Sequence, residues 1–199
     1  MEKQSGPIGP WPAPPDWPRG AAAALCLDGS LASATLGGWL TACGRDWIGL
    51  LVSSPGTPAR AFEAARRMAG DRPTLACPLP APLATPAGWA LAAHVARGAE
   101  ASWLALAPRD DGEKPLPLRM AAADEALRAD GFGGIYAPLW GYEPVALGRL
   151  AIALGVPFED TWECREEARC GACPGCVERA SMFRALGIHD PLPPNATIR

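Results

Sequence analysis

Short, continuous apolar runs alternate along this chain with longer segments whose apolar residues recur every three or four positions. Runs of about four to eight residues are typical of strands buried on both faces, whereas a period of ~3.6 residues is typical of amphipathic helices. The runs predict strands at residues 22–27, 47–52, 74–77, 102–106 and 134–137. The periodic segments predict helices at residues 31–43, 58–70, 86–98, 120–130 and 145–154. This alternation predicts an α/β fold with a doubly wound, mostly parallel sheet.

Two of the predicted helices begin with a threonine that is followed by a proline, at Thr57-Pro58 and Thr85-Pro86. A threonine side chain can accept a hydrogen bond from the first turn, and proline at the first helical position loses no helical hydrogen bond. We therefore expect Thr57 and Thr85 to be the N-caps of these helices.

Residues 1–20 differ from the rest of the chain, because they contain six prolines together with Trp11 and Trp17. Such a density of proline excludes a helix or a central strand. Two interpretations of this N-terminal extension remain open. It is either a disordered or surface-draped tail, or an extended arm whose two tryptophans dock into a groove.

The charge and hydropathy of the chain argue against two classes of partner. The formal net charge is −3 and there is no long basic run, so nothing favours binding to nucleic acid. The apolar stretch at residues 21–27 is far shorter than the ~20 residues of a membrane helix. The first residues also lack the order of a signal peptide. We therefore expect a cytoplasmic protein without a nucleic-acid or membrane partner.

Four of the seven cysteines lie close together near the C-terminus. They are Cys164, Cys170, Cys173 and Cys176, separated by five, two and two residues. Four thiolates that converge on one centre suit a structural zinc ion, and a closed four-cysteine site has no open position for a reacting water. An iron–sulfur cluster is the alternative, although nothing else in the chain suggests redox chemistry. Cys26, Cys43 and Cys77 lie in apolar runs and are expected in the core.

The C-terminal part of the chain, residues 135–191, resembles the 7-cyano-7-deazaguanine synthases of the ATP pyrophosphatase superfamily. The matching motifs are Ala137-Pro138-Leu139, Leu154-Gly155-Val156-Pro157, Thr161-Trp162-Glu163-Cys164, the run from Cys170 to Arg179, and the run from Phe183 to Pro191. The resemblance implies an adenine nucleotide alpha-hydrolase-like fold, one structural zinc ion and a homodimer. It also implies an ATP- and Mg²⁺-dependent ligase, which converts a carboxylated deazaguanine and ammonia into a nitrile in queuosine and related pathways.

The nucleotide loop of that family reads Ser-Gly-Gly-x-Asp-Ser between the first strand and the first helix. The same position here holds Asp28-Gly29-Ser30-Leu31-Ala32-Ser33. Gly29 and Ser33 match, whereas Asp28 introduces a negative charge where phosphate would bind. Ser30 replaces a glycine that allows close backbone approach, and Ala32 replaces the acidic residue. The resemblance therefore assigns residues Asp28, Gly29, Ser30 and Ser33 to a degenerate nucleotide loop.

Three other family motifs are also absent. Residues 53–58 stand where the family has Tyr-Gly-Gln-Arg-His, and residues 86–89 stand where it has Pro-Gly-Arg-Asn. Pro144 stands where the family has a phosphate-binding lysine, and the only lysines of the chain are Lys3 and Lys114. Arg60, Arg109 or Lys114 would have to supply the missing positive charge.

These observations predict four regions: an N-terminal extension (1–20), an ATP-pyrophosphatase-like domain (21–160), a zinc-binding segment with a helix (161–191) and a tail (192–199). Two functions follow as hypotheses. The first is a synthase-like protein whose ATP site is eroded and whose ligase activity is weak or absent. The second is a zinc-stabilised pseudoenzyme scaffold that binds a protein partner, a second copy or a deazapurine. No residue is assigned a catalytic role.

Overall fold

The computed structural model describes residues 21–80, 85–108 and 116–192. Within these ranges the chain forms one five-stranded sheet in the order β3-β2-β1-β4-β5, and every paired strand is parallel. The strands are β1 (Ala23–Leu27), β2 (Trp47–Ser53), β3 (Thr74–Pro78), β4 (Trp103–Ala105) and β5 (Gly134–Tyr136). Each lies within one residue of its predicted ends. The strand order reverses at β1, which confirms the predicted doubly wound α/β fold.

Six α-helices and one short 3₁₀ turn at Phe158–Asp160 accompany the sheet within the described residues. The helices are α1 (Leu31–Ala42), α2 (Ala59–Ala69), α3 (Pro86–Gly98), α4 (Leu116–Ala129), α5 (Pro144–Ala153) and α6 (Pro174–Leu186). Helices α1, α2 and α5 cover one face of the sheet, and α3 and α4 cover the other. None of the described helices has the length and apolar character required to cross a bilayer.

The burial of the central strand β1 on both faces explains why the strands form continuous apolar runs in the sequence. All five of its residues are buried, with Ala23, Leu25 and Leu27 in the core on one face. Ala24 and Cys26 point into the core on the other face. A strand that is covered on both faces has no solvent-facing positions to fill with polar residues.

The remaining cysteines outside the cluster lie in apolar surroundings, as predicted. Cys26 and Cys77 are buried in the same core, and Cys43 packs against the edge of the other core. Burial raises the pKa of Cys26 well above the ordinary value of a thiol, so this side chain stays neutral.

Two helix starts differ from the prediction. Thr57 is not the N-cap of α2, because its Oγ1 accepts a hydrogen bond from the N–H of Ser54 (2.9 Å) inside the preceding turn. Pro58 takes the N-cap position and the helix begins at Ala59. Helix α4 begins at Leu116 rather than at residue 120, since a proline is tolerated in the first turn. Thr85 caps α3 as predicted, accepting from the N–H of Gly88 (3.1 Å).

The segment after α5 returns to the carboxyl end of the sheet and packs on helices that precede it. Trp162, Cys164 and Cys176 form a buried cluster with Ala61 and Ala64 of α2. Helix α6 packs on α5 at Gly148, where a Cβ atom would lie 2.7 Å from Leu186 and 2.8 Å from Met182. The cysteine segment is therefore part of the same packed body as the sheet.

Several predicted features lie outside the described residues. They are the N-terminal extension with Trp11 and Trp17, the loop residues Arg109 and Lys114, and residues 193–199 of the tail.

Candidate functional site

The four clustered cysteines come together in space. Their Sγ atoms all lie within 4.8 Å of one another. Cys164 Sγ is 3.6 Å from Cys170 Sγ and 3.9 Å from Cys173 Sγ. A tetrahedral ion with Zn–S bonds of ~2.3 Å requires sulfur–sulfur separations of ~3.8 Å, whereas a disulfide requires ~2.05 Å. All four are free thiols. The donor set and its spacing therefore fit one four-coordinate metal ion.

Backbone geometry brings these thiols together and supplies hydrogen bonds to them. The N–H groups of Glu166 and Cys170 donate to Cys164 Sγ, each at 3.4 Å, and that of Cys173 donates to Cys170 Sγ at 3.3 Å. Gly171 has a φ of +75°, a left-handed conformation that turns the chain between two of the ligands. Such N–H···S bonds stabilise thiolates at metal centres.

The thiol pKa values are spread apart by this environment. The N–H groups of Ala172 and Cys173 lower the pKa of Cys170. Burial opposes ionisation of Cys173, but hydrogen bonds from the N–H groups of Cys176 and Arg165 lower its pKa to about 6. Burial raises the pKa of Cys176 to about 12. At least one of the four sulfurs would therefore release a proton when a metal ion binds.

A buried ion network lies beside the cysteine segment. Asp190 accepts hydrogen bonds from Arg179 (2.9 Å from Nη2) and forms an ion pair with Arg169 (2.8 Å). Arg179 also donates to the Phe158 carbonyl (2.9 Å) and to the Thr161 hydroxyl. Burial opposes ionisation of Asp190, yet the two arginines lower its pKa. Through Asp190, the network connects the segment after α6 to the loop between Cys164 and Cys170. Through Arg179, it connects α6 to the chain that precedes Cys164.

The first turn of α1, where the degenerate loop lies, is hydrogen-bonded to side chains of the protein itself. Asp28 Oδ1 accepts from the N–H of Ser30 (3.0 Å) and from the Ser33 hydroxyl (2.8 Å). Ser30 Oγ caps the N–H of Ser33 (3.2 Å). Glu163 Oε1 accepts from the N–H of Leu31 at 2.6 Å. Two carboxylates and a hydroxyl thus occupy N–H groups that could otherwise bind an anion.

Neighbouring backbone also lies against this loop. Gly29 has a φ of +84°, and a Cβ atom there would lie 2.3 Å from the carbonyl oxygen of Ala61 in α2. The Gly29 carbonyl accepts from the N–H of Trp162 (2.7 Å). Leu31 and Ser33 are buried. The loop is therefore covered by α2 and by the chain that leads to Cys164.

The cleft beside the loop is small. Its wall includes Leu31, Glu163 and Glu178, together with Pro144, where the sequence resemblance predicts a lysine in the family. The cleft encloses about 20 Å³, which is room for about one water molecule. Sites for cofactor-sized ligands usually enclose roughly 300–1,000 Å³. Among the described residues that line this cleft there is no lysine, and its volume lies below that range.

The other two segments in which family motifs are missing lie in different places. Residues 53–58 lead from the last residue of β2 through a turn into α2, and the N-terminus of that helix is capped by Glu167. The Glu167 carboxylate accepts from the N–H groups of Ala59 (2.6 Å) and Arg60 (3.3 Å). Trp89, by contrast, is fully buried in the core between α3 and the sheet. Only the first of these two segments adjoins the cysteine segment.

Sequence reasoning missed three residues of this region. Glu163 was noticed only as part of a motif, and Glu167 and Arg169 lie in the five-residue gap between Cys164 and Cys170, which carries no periodic pattern. The only signal that could have drawn attention to this gap was its charge, since four of its five residues are charged.

Comparison with known proteins places a family match in the same part of the chain. Residues 120–187 match the family model described as queuosine biosynthesis protein QueC. A 7-cyano-7-deazaguanine synthase of Methanospirillum hungatei is 45% identical over 47 residues, covering 23% of this chain and 21% of that protein. The synthase of Trichormus variabilis is 41% identical over 61 residues (30% and 27%). That of a Sulfurovum species is 33% identical over 104 residues (48% and 46%).

Residues 120–187 of the chain are thus similar to the QueC family, as the motifs at residues 135–191 predicted. The match includes all four cysteines, α5 and α6. The chain aligns with less than half the length of each of these curated relatives. The predicted nucleotide loop at residues 28–33 lies outside the matched family segment.

Proposed function

We propose that this chain is a QueC-like protein that holds one structural zinc ion and does not activate a substrate with ATP. The observation that carries the proposal is the first turn of α1. There the N–H groups of Ser30, Leu31 and Ser33 are bonded to Asp28, Glu163 and the Ser30 hydroxyl. A phosphate group would have to displace these internal acceptors.

The chemistry of adenylation explains why this arrangement is unfavourable. A carboxylate attacks the α-phosphate and expels pyrophosphate, so the accumulating negative charge needs N–H donors, a metal ion and cationic side chains. Asp28 and Glu163 instead place carboxylates at the same turn. Two like charges about 4 Å apart repel by ~4 kcal/mol at an effective dielectric constant of 20, and a multiply charged phosphate is repelled more. Loss of a single stabilising contact already lowers such rates about a hundredfold or more.

The zinc ion would have a structural role. Cys164, Cys170, Cys173 and Cys176 would supply all four ligands, which leaves no position for substrate or reactive water. Bound there, zinc would cross-link the segment before α6 to the first turn of that helix. The ion would thereby hold Glu163 and Glu167, which cap α1 and α2 from this segment.

What this leaves for the chain is binding rather than catalysis. We propose that the chain is a zinc-stabilised scaffold, a QueC-like pseudoenzyme that acts in the cytoplasm. It would bind a protein partner, a second copy or a deazapurine. The absence of a basic run, at a net charge of −3, supports a partner other than nucleic acid.

An ATP titration tests the proposal. Calorimetry with Mg-ATP should give no binding heat for the zinc-loaded chain at millimolar nucleotide. The comparison is the triple variant Asp28→Ser, Ser30→Gly, Ala32→Asp, alone and with Glu163→Ser. Nucleotide binding only after the changes would support internal occlusion of the loop, and tight ATP binding by the unaltered chain would refute the proposal.

A further inference from the structure

A groove runs along the amino end of the sheet, on the side opposite to the nucleotide loop. We call it the amino-end groove; it encloses about 480 Å³ and its walls include Ala22, Arg45, Asp46, Trp47 and Arg72. A second cleft of about 260 Å³ adjoins it and leads along α1 towards residues 154–157. The two clefts share Thr41, Trp47 and Arg72. The volume is that of a site for a peptide segment or a small ligand.

The shared residues form a pre-organised aromatic and cationic wall. Thr41 Oγ1 accepts from Trp47 Nε1 (3.1 Å) and from Arg72 Nη2 (3.0 Å), and it donates to the Gly37 carbonyl (2.8 Å). The Arg72 guanidinium lies 4.3 Å from the centre of the Trp47 ring. Trp47 is buried, whereas Arg72 is half-buried. A planar guanidinium that rests on one indole can stack with a second aromatic ring on its other face.

The chain itself supplies such an aromatic ring close by. Trp17 precedes Ala22, where the groove starts, by five residues, so an extended chain carries it at most ~18 Å from that point. Pro15 and Pro18 flank this tryptophan. Asp16 has the charge opposite to the net charge of the wall, where two arginines outnumber one aspartate, Asp46. Proline-rich segments lose little conformational entropy on binding and are commonly recognised by grooves with aromatic walls.

We propose that the amino-end groove binds residues 1–20 of the same chain, with Trp17 stacked on Arg72. The inference does not depend on the zinc ion or on the fate of the ATP site. Of the two interpretations of the N-terminal extension, this proposal favours the extended arm that docks into a groove. The groove is then an intramolecular docking site, and the docked segment is covalently continuous with its wall at Ala22.

Fluorine NMR of the full-length chain, labelled with 5-fluorotryptophan, tests this assignment. Trp17→Phe identifies the Trp17 resonance, and a synthetic peptide of residues 1–20 gives its position in free solution. The Trp17 resonance should differ from that of the peptide and show a reduced D₂O isotope shift. Arg72→Ala should move it to the peptide position. The matched control is Arg97→Ala, which removes a similar stack on Phe132 (5.7 Å) on the other face of the sheet and should leave Trp17 unchanged.

The reciprocal variant Trp17→Ala keeps the test decisive if Arg72→Ala perturbs the fold, and it should shift the resonance of Trp47. An unchanged Trp89 resonance, from the core on the other face, verifies that each variant is folded. A Trp17 resonance at the peptide position in the unaltered chain would overturn the proposal. A resonance that depends on protein concentration, in a dimer that Trp17→Ala dissociates, would also overturn it and assign the groove to the arm of a second copy.

Discussion

Replacing Glu163 by alanine should destabilise the protein measurably, because this side chain caps a helix 132 positions earlier in the sequence. Its carboxylate accepts from the N–H of Leu31 at 2.6 Å at the N-terminus of α1. Charge-assisted caps of this kind contribute about 1–2 kcal/mol. Leu31 is buried, so loss of the acceptor also leaves its N–H group poorly solvated, at a cost of about 1–3 kcal/mol. Because the two costs describe the loss of the same hydrogen bond and partly overlap, we expect about 2–3 kcal/mol rather than their full sum.

Two matched variants test this reasoning. The first separates the charge of the cap from its hydrogen bond, and the second compares it with an exposed cap. Glu163→Gln keeps an acceptor but loses the charge, so it should cost only about 0.5–1 kcal/mol. Glu167→Ala removes the cap of α2, which has the same 2.6 Å distance but is exposed, and should cost less than about 1 kcal/mol.

Urea unfolding of the zinc-loaded protein measures these differences, and hydrogen exchange at the Leu31 amide reports the lost bond directly. Exchange at Leu31 should accelerate in Glu163→Ala and only slightly in Glu167→Ala. The reasoning is refuted if Glu163→Ala unfolds at the same urea concentration as the unaltered chain, or if the two alanine variants lose equal stability.

Three other outcomes follow from the same structure. Purified protein should contain about one zinc ion per chain and Cys173→Ser should lose most of its stability with the metal, whereas elemental analysis that finds iron would contradict this. Asp190→Ala leaves two buried guanidinium groups without their carboxylate and should cost about 3–5 kcal/mol in urea unfolding. Because the pKa of Asp190 is lowered, its contribution should be present above about pH 4 and be lost as the pH falls through its folded-state value; a pH-independent difference from Asp190→Asn would argue against this. Removal of residues 1–18 should leave a cooperatively folded domain, since β1 begins at Ala23; loss of the cooperative melt would show that the extension belongs to the core.

The sheet could be predicted from sequence because its strands are buried on both faces. Burial leaves a continuous apolar run, such as Ala23–Leu27, that local reasoning detects directly. The cysteine cluster could also be predicted from sequence, because Cys170, Cys173 and Cys176 are close along the chain and a short turn brings them together. Both features depend on residues that are near one another along the chain.

The local cap of α3 by Thr85 could be predicted, but the long-range caps of α1 and α2 could not, for the opposite reason. Thr57 had the right residue type for an N-cap, but the turn before it offered its hydroxyl a closer partner, Ser54. Glu163, which caps α1 together with the local N-cap Ser30, and Glu167, which caps α2, lie 132 and 108 positions away in sequence. Contacts over such separations are fixed by tertiary packing, which no local pattern encodes. The degenerate loop was visible in the sequence, but its internal carboxylate from Glu163 was not.

The most direct measurement of the central claim is ATP–pyrophosphate exchange with the zinc-loaded, full-length chain. Labelled pyrophosphate is mixed with Mg-ATP and a carboxylated deazaguanine, and the appearance of label in ATP is followed. Adenylation requires hydrogen-bond donors and cations, and the predicted nucleotide loop at the first turn of α1 presents Asp28 and Glu163 instead. We expect no exchange above a control without protein. Substrate-dependent exchange by the unaltered chain would contradict the account.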